Sequence, residues 1–463
     1  LFFSRLTMAT LSLLVLVGCS LLPHSNSVSD NVSDNVSENV GYEAAGQSAV
    51  GDVVVYTARE IVTLDPAQSN VEAIAVEGDR ILATGGLEEI KRSLKMRSYR
   101  VDRRFDDSVL VPGLINQHEH TWLAAIAMIV KIVSIEDWEL PGRTMPRAKD
   151  EADYRRRLEA LVEQHAADHP ENDEVFYTWG YHQLFHGDLS RAVLDDVSST
   201  VPIVVLQRSM HELIFNTRAL ERFGIDQARL ESLPAHVRAQ IDLARGHFWE
   251  QGSIGVVPVV FGDMLTPERY LPALERARDY WHAAGSTLVA EPGGMVNPAL
   301  MAMQNSVFGD PSTPYRMHYI ADGKSMISGR ADDEVVPATD AQVATAKGFS
   351  RFLPKQVKLF ADGAMFSQLM KMSDGYLDGH EGEWLMQPEL FKRAFRIYWD
   401  AGYQMHVHQN GDAGLDLVLD TLDENMTRNP REDHRTVIVH FGFSRADQVE
   451  RIAELGAIVS ANP

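Results

Sequence analysis

The sequence predicts an α/β protein built on a (β/α)₈ barrel, with a small β domain ahead of it. Three observations carry this expectation. Beyond about residue 267, short β-rich runs alternate with segments of helical periodicity. Between Gly51 and Asp107 the pattern is β-rich without that alternation. Histidines and one lysine recur at or near the C-terminal ends of the alternating strands, the face on which such barrels do chemistry. The 463-residue chain is 45% hydrophobic, enough for a large core. Its net charge of −22 argues against nucleic acid as a partner, which needs a basic surface.

In chain order, residues 1–19 read as an export signal: one Arg, then an apolar stretch from Leu11 to Val17 that is too short to span a bilayer. The stretch ends in Leu16-Val17-Gly18-Cys19, which resembles the lipobox of bacterial lipoproteins. That resemblance implies lipidation of Cys19 and an exported protein anchored to a bacterial membrane, facing the periplasm at the outer membrane. Cys19 is the only cysteine, so no intrachain disulfide can form. Residues 20–50, with the polar Asn31–Asn39 repeat, read as a disordered linker that cannot repay its ordering entropy.

Residues 51–110 hold strand-like runs at Asp52–Thr57, Ala73–Glu77 and Arg80–Thr84, separated by turn signals, and predict a small antiparallel sheet. The barrel domain is assigned to 111–463. It opens with Val109–Ile115, read as a buried strand that delivers His118 and His120 to one side, since strand side chains alternate with a period of two. Two such imidazoles suit a divalent metal such as zinc. A substrate or lid segment is inserted at about 140–265, with a helix from Glu151, a strand ending near Gln207 and a capped helix start at Asn216. Its density of aromatic and histidine residues suits a pocket wall, with Trp179, Tyr181, His182 and His211 as candidate substrate contacts.

The alternation then predicts a helix at Pro267–Ala284, strands at Ser286–Ala290 and Tyr315–Ile320, a helix near Asp340–Phe352 and a strand at Val357–Ala361. Helices at Gln387–Ala401, Ala413–Asn425 and Arg445–Leu455 precede strands at Tyr403–His408, Thr436–His440 and Ala457–Ala461. Lys358, His408 and His440 therefore sit at or near strand C-termini together with the His-x-His pair. A single strand-end histidine or lysine is ordinarily a satisfied surface or core group. Four strands delivering four histidines and a lysine to one rim is the strongest functional signal in the sequence.

The motifs Val111-Pro-Gly-Leu-Ile-Asn-Gln-His-Glu-His120, Gly285–Glu291, Val357-Lys-Leu-Phe-Ala-Asp-Gly363, His408-Gln-Asn-Gly-Asp412 and Val439-His440 occur in that order. In this respect the chain resembles the amidohydrolase superfamily over residues 51–463, and within it the YtcJ-like branch that includes N-substituted formamide deformylases. The resemblance implies a distorted TIM barrel flanked by a β-sandwich, a site for one or two zinc-like divalent metals, and hydrolysis of a C–N bond by metal-bound hydroxide. It further implies that His118 and His120 hold the first metal and that His408 and His440 hold the second. Lys358 would bridge them, carboxylated, with Glu291 as a rival bridge. His211 would steady the oxyanion, His406 would stand behind the ligands, and Asp362 and Asp412 would fix loops or orient ligands. The expected partner is a small amide-type molecule, with membrane contact only through the lipid anchor; a homodimer is compatible with the reading. The family's eighth-strand Asp has no counterpart here, because Ala457–Ala461 counts as the seventh strand. The barrel is thus expected to be C-terminally incomplete, and a catalytically inactive homologue that only binds metal or ligand stands as one alternative. An esterase or phosphoesterase using the same site is the other.

Overall fold

The computed structural model describes residues 53–171, 173–293 and 297–461. The export signal, Cys19 and the linker lie outside the described residues. The chain divides into two compact units between Val111 and Pro112. Among the described residues no helix is long and apolar enough to cross a membrane.

The first unit is a four-stranded sheet made of β1 (Val53–Val62), β2 (Asn70–Glu77), β3 (Arg80–Gly85) and β4 (Tyr99–Leu110), in the order β3-β2-β1-β4. Helix α1 (Leu87–Leu94) sets Ile90 and Leu94 against Val53, Val55, Ala73 and Ala75. The three expected runs pair antiparallel, β1 with β2 and β2 with β3, and the strand the pattern did not single out, β4, joins β1 in parallel. The chain between β3 and β4 passes through α1, and a crossover of that kind returns a strand in the same direction.

The second unit is TIM-barrel-like, built on a seven-stranded sheet. Its strands are β5 (Leu114–Asn116), Ser286–Pro292, Arg316–Asp322, Ser350–Phe360, Gln404–Gln409, Val437–His440 and Ile458–Ala461, adjacent in sequence order. Every pairing is parallel. The helices between them carry their apolar residues at helical spacing. In Pro388–Asp400, Phe391, Ala394, Phe395, Tyr398 and Trp399 are all fully buried, the i, i+3, i+4, i+7, i+8 stripe of a core-facing helix. Proline opens that helix at its first turn, where no intrahelical N–H bond is lost.

Strand alternation divides the sheet into two faces. Val357, Leu359, Met405 and Val407 pack with Phe391, Phe395 and Leu415 in the core under the helices. Lys358, Phe360, His406 and His408 are therefore left on the opposite face, and register pairs Lys358 with His406 and Phe360 with His408.

Between β5 and Ser286 the chain builds an insertion around a six-stranded mixed sheet. In chain order its strands are Lys131–Ile132, Phe176–Tyr181, Ile203–Gln207, Glu212–Phe215, Ile241–Asp242 and His247–Trp249. The sheet begins at Lys131, earlier than the expected 140. The capped helix start at Asn216 is present: its Oδ1 accepts the Ala219 N–H at 2.9 Å.

Two barrel elements differ from expectation. The run Val109–Ile115 is not one buried strand. Pro112-Gly113 splits it, β4 ends at Leu110 in the first unit, and β5 is a three-residue edge strand with Leu114 58% and Ile115 68% exposed. The helix expected near Asp340–Phe352 lies at Asp332–Val343, where three acidic residues fill its first turn and complement the helix dipole. The following strand starts at Ser350, and a register break around Pro354-Lys355 separates its two halves. The sequence pattern captured only the second half.

Candidate active site

His118 and His120 sit in the turn after β5, and His120 caps helix Thr121–Ile129. Their Nε2 atoms approach to 3.3 Å. His120 is held from behind: its Nδ1–H donates to Glu291 Oε1 at 2.8 Å. The other carboxylate oxygen of Glu291 accepts from the Thr121 N–H and from Thr121 Oγ1, the latter at 2.6 Å. Because a carboxylate only accepts, this contact fixes the His120 proton on Nδ1 and leaves the Nε2 lone pair facing His118. Glu291, at the end of the second barrel strand, is completely buried. Both oxygens of Glu291, the rival bridge, are thus engaged by the segment carrying His120.

Lys358 reaches the same region from the fourth strand. It is 1% exposed and its Nζ has no hydrogen-bond partner. Burial pushes its pKa down to about 7, against the opposing pull of Glu291 and Asp322. Gly293, at φ +87°, lies directly over it: a β-carbon there would come within 2.5 Å of both Lys358 Cβ and Cγ. Asp322, at the end of the third strand, is tied down by Ser325 Oγ and by the Lys324 and Ser325 N–H groups.

His408, ending the fifth strand, is buried, and Asn410 Nδ2 donates to its Nε2 at 3.0 Å. His440 ends the sixth strand in the left-handed region at φ +75°, followed by Phe441 at +54°. Two consecutive non-glycine residues in that region are costly and persist only where surrounding structure imposes them. The His440 ring lies 4.8 Å from His118 and 4.5 Å from His408, centroid to centroid. Burial, reinforced by neighbouring positive groups, keeps His118 and His408 far below the usual histidine range and His440 down to about 2. The rings are therefore neutral, the form that offers a lone pair. They are packed ring against ring, and among the described residues no three His, Cys, Asp or Glu side chains stand in a ready ligating arrangement.

His211, from the insertion, has its ring 5.9 Å from that of His408. Its Nδ1–H donates to Glu250 Oε2 at 2.8 Å. Burial opposes charging of this ring, but the Glu250 carboxylate outweighs it and raises the pKa.

The remaining expected residues are held by partners of their own. His406 is engaged with Gln356 Oε1 through Nε2 at 2.9 Å. Asp362 accepts from the N–H groups of Asn410, Gly411 and Lys371, lacing together the ends of the fourth and fifth strands and the loop between them. Asp412 binds the Ser373 N–H and Arg445. Trp179 is a core residue, edge-on to Trp138, with its indole N–H donated to Arg208 O. Tyr181 and His182 are buried as well, and the Tyr181 hydroxyl donates to Gly187 O. Tyr181 also lines a separate cleft of about 380 Å³ with Glu212, His247 and Trp249. Sequence reasoning missed Glu250, Gly293 and Asp322, and quoted Asn410 without giving it a role. Only Asn410 stood in a motif that could have flagged it.

A parallel, helix-wrapped sheet with its polar cluster at the strand C-termini is the arrangement in which TIM-barrel enzymes carry their sites. A profile of the amidohydrolase family matches residues 106–463, and the chain belongs to that family. The exoenzymes regulatory protein AepA of Pectobacterium carotovorum subsp. carotovorum is 22% identical over 416 residues, covering 87% of this chain and 82% of that protein. Protein LONG AFTER FAR-RED 3 of Arabidopsis thaliana is 21% identical over 424 residues, covering 89% and 68%. Two solved structures share the fold. An uncharacterized metal-dependent hydrolase from Pyrococcus horikoshii OT3 superposes with a TM-score of 0.60 at 18% identity, over 88% of this chain and 74% of its own. Its counterpart from Pyrococcus furiosus gives 0.59 at 17%, over 88% and 76%.

Proposed function

We propose that this hydrolase is metal-dependent and cleaves the C–N bond of a small amide, formamide or cyclic amide, as a member of the YtcJ-like branch. One observation carries the reading: the rings of His118, His408 and His440, held neutral by burial, gather with His120 and with the Lys358 amine, which has no hydrogen-bond partner, at one strand-end rim. That donor set fits divalent cations such as zinc. His118 and His120 would hold one, His120 through the Nε2 that Glu291 leaves free, and His408 and His440 a second. Lys358 would bridge them as a carbamate: its neutral amine forms a bond to the carbon of CO₂ and releases a proton. The residue then presents an anion to the cations instead of a positive charge. A cation bound at this rim acidifies water and polarises the scissile carbonyl. His211, held through its Nδ1–H by Glu250, which raises its pKa, would in its protonated form turn an Nε2–H toward charge growing on the carbonyl oxygen. The lipobox-like Leu16–Cys19 supports an exported, lipid-anchored protein facing the periplasm.

A panel of an N-substituted formamide, an anilide, a cyclic imide, a carboxylic ester and a phosphodiester, tested with zinc present, separates this reading from its alternatives. Amide or imide turnover that falls about 100-fold or more in His408→Ala supports it. Turnover of the ester or phosphodiester with none of the amides overturns it.

A further inference from the structure

We infer that Glu250 is a positioning residue for the reaction proposed above, which holds His211 by its Nδ1 and couples it to the loop following the Lys358 strand. The inference rests on that functional reading and adds a residue that no motif in the sequence points to, 39 positions from the histidine it serves.

His211 is fixed on four sides. Its N–H donates to Ser209 Oγ at 3.1 Å. Its carbonyl accepts both the Glu250 N–H and Ser253 Oγ at 2.9 Å. Its Nδ1–H meets Glu250 Oε2 at 2.8 Å. Nε2 is then the ring nitrogen left for the reaction, on a ring tilted 33° to that of His408 with centroids 5.9 Å apart. The second Glu250 oxygen, Oε1, accepts the Ala364 N–H at 3.3 Å, four residues past the end of the Ser350–Phe360 strand and next to Gly363. A β-carbon at Gly363 would run into Leu369 O and stand 2.8 Å from Oε1, so the loop leaves room only for glycine there.

Glu250 is 2% exposed and sits at φ +42°, a conformation that an L-residue adopts only under constraint. A buried carboxylate in strained backbone, with one oxygen on a site histidine and the other on the neighbouring barrel loop, serves orientation better than stability. Both oxygens act as acceptors. Gln has a single acceptor oxygen and must turn an NH₂ group toward either the Nδ1–H or the Ala364 N–H, so Glu250→Gln is nearly isosteric yet breaks the arrangement.

The test combines a double-mutant cycle with a readout that needs neither metal nor turnover. Imidazole ¹⁵N NMR of the metal-free wild-type chain is expected to show His211 with its proton fixed on Nδ1, and Glu250→Gln to lose that fixed tautomer while keeping the folded amide spectrum. In the zinc-loaded protein, Glu250→Gln should lower kcat about 10–100-fold with KM and zinc content little changed. In a His211→Ala background the same change should do nothing further. An unchanged His211 tautomer in Glu250→Gln overturns the inference, as do losses that multiply across the two substitutions. Wild-type protein that turns over no amide contradicts the functional reading instead, and the NMR result then decides the Glu250 contact by itself.

Discussion

At the scale of single residues, Lys358 is a buried amine without a hydrogen-bond partner. Its Nζ lies 5.8 Å from the centroid of the Phe360 ring, and burial brings its pKa down to about 7. The folded value lies below the unfolded one, so the unfolded chain binds more protons across the interval above pH 7. Stability of the metal-free protein must therefore rise as pH climbs through that interval, and the penalty for burying the charge is fully present below it. Lys358→Met removes the orphaned amine while keeping similar bulk. In the metal-free chain it should raise stability at pH 6 by about 1–3 kcal/mol and flatten the rise between pH 7 and 10. Urea unfolding at the two ends of that range checks both, and an unchanged pH slope would show that Lys358 is not the group responsible. His120 was legible in sequence as half of a His-x-His pair, whereas the Glu291 contact that fixes its tautomer joins residues 171 positions apart. Glu250 was not legible at all: an acidic residue after a short strand carries no local signal, and its partners come only from folding, His211 within the insertion and Ala364 in the barrel loop.

At the scale of elements, the helices behind the site are held by continuous apolar stripes, and this is where sequence reading succeeded most fully. Pro388–Asp400 lies within a residue of each expected boundary because proline opens it and its stripe has unbroken helical spacing. Phe395 is fully buried against the strand that carries Lys358 and the one that carries His408. Phe395→Ala should cost about 3–5 kcal/mol, as large-to-small core changes do, and lower the midpoint of chemical unfolding. A loss below about 1 kcal/mol would mean that this helix does not brace the strands. Sequence reading failed where tertiary structure overrides pattern. Val109–Ile115 looks like one apolar strand, yet Pro112 and Gly113 divide it between two units. The Ser350–Phe360 strand hides its first half behind Pro354, because a proline within an apolar run argues against a strand unless a bulge accommodates it.

At the scale of the whole molecule, the order of the barrel strands was readable because α/β alternation maps directly onto neighbouring parallel strands. That mapping assigned Lys358, His408 and His440 to the fourth, fifth and sixth strands, where the structure has them. The insertion sheet was harder to read. Its strands at Lys131–Ile132 and Ile241–Asp242 are two residues long and leave no periodicity to detect. The central claim is that the rim formed by His118, His120, Lys358, His408 and His440 holds divalent metal. Metal analysis of the folded protein after exposure to zinc and removal of excess, set beside a His118→Ala/His440→Ala double variant, tests it most directly. The account predicts one to two zinc ions on the wild-type chain, about one per His pair, and loss of most of that metal in the variant with its fold intact. Equal zinc on both proteins, or none on the wild type, would contradict it.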